Sequence, residues 1–420
     1  MKSVSILTCS TLVLLTTASL SAYGLTSEEQ LGKSIFFDTN LSINANLSCA
    51  GCHGPEVGFT GPDPTINAAG AVYEGSIAGR FGNRKPPSAA YATQSPIFYQ
   101  DKKGDFVGGN FWDGRATGEK LGNPSADQAQ GPFLNPKEQA LPDSACVVYR
   151  VCNPVIPNDY PVSFETVWGD AACDINWPLD VSDTCAQEGE TVDLNPAERA
   201  KSNVAYDNIA LSIAAYEGSS AVNAFSSKYD LSRQGKAKLT RQEQRGFALF
   251  NGKGKCHRCH IVNGKKPLLT DYTFDNLGVP KNPENPVYDY EPGFIDEGLG
   301  GFLASRPEYA AYADENLGKQ KVPTLRNVDL RPSGGFTKAY MHNGYFKTLE
   351  GVVNFYNTRD VKPVCPGDYT EAEALAANCW PAPEVTENVN RDELGDLGLT
   401  AEEESAIVAF LKTLSDSNVP

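Results

Sequence analysis

The pattern Cys-x-x-Cys-His occurs twice, as Cys49-Ala50-Gly51-Cys52-His53 and as Cys256-His257-Arg258-Cys259-His260. Two thiols at this spacing form thioethers with the two vinyl groups of one haem, and the next residue then lies beneath the iron. A zinc site or a disulfide would use the same thiols, but neither accounts for a histidine directly after each pair in two distant parts of the chain. The motifs predict two covalently bound haem c groups. Cys49, Cys52, Cys256 and Cys259 are the attachment residues, and His53 and His260 are the iron ligands below each plane.

The approach to each motif repeats as well. Thr26-x-x-Glu29-Gln30-x-Gly32 with Phe36 precedes the first, and Thr240-x-x-Glu243-Gln244-x-Gly246 with Phe250 precedes the second. A Thr followed three positions later by Glu opens a helix, because each side chain satisfies the other residue's free amide. A third such pair, Thr400 and Glu403, opens a last helix with Ile407, Phe410, Leu411 and Leu414 on one face. A further helical stretch, Ala205 to Tyr216, closes the first half. The predicted fold is mainly α: two cytochrome c-like domains, each around one haem, with long haem-wrapping loops over Pro55–Gly118 and Val262–Gly301. Residues 25–235 form the first domain and 236–420 the second, joined by a basic, polar linker over Ser232–Leu239; a length of 420 residues suits this division.

Residues 1–24 read as an export signal: Lys2, a short apolar run from Val4 to Leu20, then Ala22-Tyr23-Gly24 as a cleavage site. No later stretch is apolar for long enough to span a membrane, so the periplasm is expected. The net charge of −16 argues against nucleic-acid binding, which relies on Lys and Arg. Apart from Cys9 and the four attachment residues, six of the 11 cysteines remain. An even number in an exported chain predicts three disulfides. Cys365–Cys379 is the favoured pair, and pairing among Cys146, Cys152, Cys173 and Cys185 stays open. These four lie in a Pro/Asp-rich segment, about 141–196, expected to be a disulfide-braced loop. Gly252-Lys253-Gly254-Lys255 is expected to face solvent.

Spare iron ligands are scarce, with 4 His and 2 Met in the whole chain. Once His53, His257 in a haem motif, His260 and Met1 are set aside, His342 and its neighbour Met341 remain. Adjacent residues do not serve two separate haems, so at least one iron is open or held by an unusual ligand. An open iron points to chemistry rather than simple electron carriage.

Several segments in order carry a resemblance over most of the chain: Phe111-Trp112-Asp113-Gly114-Arg115-Ala116, Gln128-x-x-Gly131-Pro132, Val322-Pro323-Thr324-Leu325-Arg326-Asn327 and Tyr340-Met341-His342-Asn343-Gly344. They resemble the dihaem cytochrome c peroxidase/MauG family, from which the segment with four cysteines departs. Classical members carry a removable distal His after the first motif; no His lies between His53 and His257, which the MauG branch matches with a five-coordinate haem. The resemblance places the second haem's distal ligand fourteen residues after His342, at Tyr356, with Met341 as rival. It assigns Glu138 and Gln128 to the open face of the first haem, Glu138 as proton acceptor and donor to peroxide and Gln128 as its hydrogen-bonding partner or a turn cap. It assigns Trp112 to the bridge between the haems.

Two departures limit the carry-over. The family's inter-domain calcium uses an Asn where Lys85 stands, and Ala339 replaces a Pro, so calcium is doubtful: either the site is absent or Lys85 fills its charge role. Gly254-Lys255 stand where the MauG branch has a Trp that passes charge to a protein substrate. The leading expectation is a periplasmic oxidoreductase that reacts with hydrogen peroxide and oxidises a partner protein. The alternatives are a peroxidase fed by a small cytochrome or copper protein, and a non-enzymatic dihaem electron carrier.

Overall fold

The computed structural model describes residues 24–154 and 159–417. The export signal assigned to residues 1–24 therefore lies, except for Gly24, outside the described residues. The chain is mainly helical, with two short antiparallel pairs, Tyr99–Gln100 with Phe106–Val107 and Phe274–Asp275 with Gln320–Lys321.

Local chemistry sets the helix ends. Thr26 and Glu29 cap the helix Ser27–Phe37 reciprocally, Thr240 and Glu243 cap Arg241–Phe250, and Thr400 and Glu403 cap Ala401–Leu411. The glycine shared by the first two segments is the point of closest approach in each half. A Cβ on Gly32 would lie 1.8 Å from the Ser212 carbonyl oxygen in the long helix Pro196–Gly218, and one on Gly246 would lie 1.8 Å from that of Ala406. Only glycine lets these backbones meet. The shared phenylalanine then enters the core: Phe36 packs edge-on against Tyr216, and Phe250 against Phe410.

Buried apolar residues fall into two main clusters, one running from Leu31 to Val222 and the other from Tyr229 to Leu414. A smaller cluster of Phe98, Phe106, Phe274, Leu299 and Leu303 draws on both halves of the chain. Polar contacts also join the halves. The Tyr91 hydroxyl donates to Asp416 at 2.6 Å. The Lys338 ammonium donates to three carbonyls, those of Val57 (2.7 Å), Asn327 (2.8 Å) and Leu330 (2.9 Å).

Three readings from sequence change here. The segment about 141–196 is not simply a braced loop: it holds the helices Ser144–Cys152, Tyr160–Trp168 and Val181–Thr184. Val147, Val148, Val151 and Phe164 from these helices are fully buried in the first cluster. Disulfides join Cys146 to Cys185 and Cys152 to Cys173, and Cys365 pairs with Cys379 as favoured. The linker starts later than expected, because a Ser227–Asp230 capping box continues helix Lys228–Arg233 into it. Gly252 and Lys253 are exposed, but Gly254 is buried and, with Lys255, lines a cavity. Among the described residues no helix is long and apolar enough to cross a membrane.

Candidate functional site

Each Cys-x-x-Cys-His segment lines its own cavity. Cys49–Cys52 forms a single helical turn, and Cys256–Arg258 a tighter one. Both turns place the paired sulfurs on one side and the following histidine at the end. His53 Nδ1 is 3.1 Å from the Phe59 carbonyl oxygen, and His260 Nδ1 is 2.8 Å from that of Leu269. With Nδ1 engaged, Nε2 is the ring nitrogen left to ligate, and the carbonyl bond fixes the ring's orientation. Among the described residues, Cys49, Cys52, Cys256 and Cys259 are the cysteines outside the disulfides. Burial pushes the Cys52 and Cys256 thiols up to about 12.

The first cavity brings together Trp112, Arg115, Gln128, Glu138 and Glu217. Gln128 sits within the helix Pro124–Leu134, whose N-cap is Asn123, so Gln128 is not a turn cap. Glu138 follows the end of that helix, where its N–H donates to the Asn135 carbonyl at 2.9 Å. Asn135 Nδ2 donates to Glu138 Oε2 at 3.0 Å. Burial raises the Glu138 carboxyl above its ordinary range, opposed by Arg115 and the Asn135 bond. The Arg115 guanidinium stacks 3.8 Å over the Phe111 ring and pairs with Asp113 at 2.7 Å.

The second cavity takes Met341, His342 and Tyr356 together. Tyr356 lies on the helix Leu349–Thr358, capped by Thr348. Burial raises its phenol, reinforced by the Cys259 and Cys256 thiols. Met341 and His342 belong to a tight turn closed by the pair Tyr340 and Phe346, with Met341 at φ 67° and Gly344 at φ 69°. The first half has the same turn, closed by Asn110 and Ala116, with Phe111 at φ 63° and Gly114 at φ 79°. Trp112 and His342 thus occupy equivalent places in two copies of one turn, and their rings meet edge-on with centroids 6.5 Å apart.

Trp112 lines both cavities, together with the run Lys321-Val322-Pro323-Thr324. Its Nε1–H donates to the Lys85 carbonyl at 2.8 Å, and its own carbonyl accepts from the Lys321 N–H at 2.7 Å. Arg84 braces this wall with a bidentate pair to Asp296 (2.7 and 2.6 Å) and a 2.6 Å bond to Asp113. Burial raises the Asp296 carboxyl, but Arg84 outweighs it and holds the group well below the carboxylate range. The Lys85 ammonium is buried, donating to Thr60 Oγ1 (2.8 Å) and the Pro86 carbonyl (2.9 Å), and burial pushes it down to about 7. Sequence reasoning missed Arg84, Asp296, Glu217 and Lys321. Lys321 directly precedes a segment that carries the resemblance, the one signal that marks it.

A family described as di-haem cytochrome c peroxidase matches residues 26–238. The methylamine utilization protein MauG of Paracoccus denitrificans is 33% identical over 92% of this chain and 88% of that protein. The chain belongs to the di-haem cytochrome c peroxidase family. A cytochrome-c peroxidase of Denitromonas iodatirespirans, IdrP1, is 28% identical over 92% of this chain and 80% of that protein. The crystal structure of the diheme peroxidase BthA from Burkholderia thailandensis superposes with a TM-score of 0.71 at 26% identity, covering 93% of this chain and 86% of that one.

The family is one of peroxide-dependent oxidoreductases, and it implies two haem c groups. The residues present fit them: each cavity offers two half-buried thiols, one histidine with Nδ1 already tied to a carbonyl, and largely apolar walls.

Proposed function

We propose that the protein is a periplasmic di-haem c oxidoreductase of the MauG-like branch, which reacts with hydrogen peroxide at the first cavity and draws electrons from a partner protein through the second. The unequal furnishing of the cavities carries this reading. Met341, His342 and Tyr356 all line the second, whereas the lining of the first holds, among the described residues, no His or Met besides His53. In this reading residues 25–235 and 236–420 are the two haem domains, a division supported by the two apolar clusters.

The bound haems supply one-electron chemistry at iron. The net reaction adds two electrons and two protons to hydrogen peroxide and releases two waters. Glu138 takes the proton from one peroxide oxygen and delivers it to the other as the O–O bond breaks. Gln128 orients the peroxide through its amide. Trp112 conducts electrons between the cavities. Its N–H is committed to a carbonyl, which does not accept a proton, so an electron crosses the indole without a proton leaving it. Tyr356 would ligate the second iron, with Met341 the rival; a hard phenolate oxygen would favour oxidised iron and a soft thioether reduced iron.

A second reading, favoured by relatives named cytochrome-c peroxidase, has a small redox protein feeding electrons for peroxide removal. The test uses fully oxidised holo-protein with one equivalent of peroxide and no prior reduction. Prompt spectral change at both haems, with slow turnover of reduced cytochrome or copper donors, supports the first reading. Fast catalytic donor oxidation selects the second. Haems inert to peroxide would sink both.

A further inference from the structure

Four polar side chains form a continuous chain from the first cavity to the wall that the two cavities share. The Lys321 ammonium donates to Ser95 Oγ at 2.6 Å, to Asn110 Oδ1 at 3.2 Å and to the Gly109 carbonyl. Asn110 Nδ2 donates to Ser125 Oγ at 2.9 Å, and Ser125 in turn favours the ionised form of the Glu217 carboxyl against the burial that raises it. Asn110, Ser125 and Glu217 are 7%, 1% and 4% exposed. The donors point the same way, from the Lys321 amine toward the Glu217 carboxyl, and aligned bonds in a low-dielectric interior polarise one another. Glu217 lines the first cavity, Lys321 lines both, and the Lys321 backbone N–H is bonded to the Trp112 carbonyl. The peroxide chemistry above uses none of these four groups.

We propose that the chain Lys321–Asn110–Ser125–Glu217 is a charge-setting element: the charge carried at one end or the other, coupled through the aligned polar groups, fixes the cost of placing positive charge on the bridge at Trp112 and on the second haem. The proposal rests on the bridging role given to Trp112. The Asn110 amide does not hand on protons, so the chain transmits charge rather than protons. Burial drives Lys321 down to about 7 and Glu217 up to about 8, so both ends change charge near neutrality.

The titratable groups facing Glu217 are Tyr216 of its own helix and Cys49, a haem-attachment residue. The buried faces of the helices packed on it, Ser27–Phe37, Pro124–Leu134 and Ser144–Cys152, carry no charged side chain. Lys321 faces Tyr272, whose ring centroid is 5.4 Å from the ammonium, and its backbone is registered with the apolar Phe274 on the paired strand. At lower pH, with Glu217 neutral, an ionised Lys321 opposes a positive bridge; at higher pH, with Lys321 neutral, an ionised Glu217 favours one.

The test is a redox titration of both haems in the holo-protein, followed by absorbance, between about pH 6 and 9. At the acid end of this range, where Lys321 is charged, Lys321→Met is expected to shift the second haem to lower potential, and Lys321→Arg, which keeps the charge, to retain the wild-type value. The wild-type potential is expected to fall as Glu217 ionises, and Glu217→Gln and Ser125→Ala to lose that fall. A Lys321→Met potential equal to wild type, or an unchanged pH slope in Glu217→Gln, would overturn the proposal. The titration needs no peroxide, so a protein inert to peroxide would refute the proposed function without touching this result.

Discussion

The indole N–H of Trp112 donates to the Lys85 carbonyl at 2.8 Å, and the Lys85 N–H in turn donates to the His342 carbonyl at 2.8 Å. The loop holding Lys85 thus locks the turn that carries Trp112 to the equivalent turn that carries Met341 and His342. The orientation of the indole is set by backbone groups of both halves.

Replacing Trp112 by Phe removes that donor and leaves a buried carbonyl unpaired, at a cost of about 1–3 kcal/mol. The expected outcome is a folded protein whose first haem still responds to peroxide while the response of the second is delayed. Stopped-flow absorbance at wavelengths specific to each haem checks this. Simultaneous responses at wild-type rate would remove Trp112 from the path.

Glu138 accepts a proton only as the carboxylate, and burial raises its carboxyl above the ordinary range. The rate of reaction with peroxide is therefore expected to rise with pH through a midpoint displaced upward from that of a solvent-exposed glutamate. Glu138→Gln should slow the reaction roughly 10²–10⁴-fold and flatten the profile. Unaltered kinetics in this variant would assign the proton transfer to another group.

Tyr356 and Met341 both line the second cavity, so the ligand is decided by substitution. Tyr356→Phe is expected to alter the spin state and raise the potential of the second haem, while Met341→Leu leaves both as they were. Electron paramagnetic resonance of the oxidised protein distinguishes them, and the reverse pattern would make Met341 the ligand.

The Cys146–Cys185 link closes a 39-residue separation and is buried in the first apolar cluster. Changing both residues to Ala is expected to cost about 2–4 kcal/mol and lower the thermal midpoint. The second haem's spectrum should be unchanged at low temperature. A midpoint equal to wild type would mean that packing of Val147, Val148 and Phe164 alone holds this region.

The parts of the fold legible in sequence were those written locally. A capping box needs four consecutive residues, and Thr26, Thr240 and Thr400 each open a helix where expected. The segment with four cysteines was misjudged because its Pro and Asp content conceals three short helices, whose burial depends on contacts with Pro196–Gly218 and Ser27–Phe37. The chain from Lys321 to Glu217 was invisible for a different reason. Its members come from four places in the chain, Asn110, Ser125, Glu217 and Lys321, and no periodicity relates them. Arg84 with Asp113 and Asp296 is hidden in the same way, since an ion pair spanning 212 positions leaves no local trace.

The three carbonyls around Lys338 have a practical corollary. One belongs to the loop just beyond His53 and two to the segment after Arg326, so this side chain stitches opposite halves with a cation that is covalently part of the polypeptide. An ammonium offers three hydrogens to three oxygens, whereas a neutral amine offers two, so the cage resists the loss of charge that burial favours. A metal ion in such a seam can be stripped by a chelator or exchanged for another; a lysine cannot. At this point the joint between the halves is immune to sequestering agents and to the mineral content of the surrounding fluid.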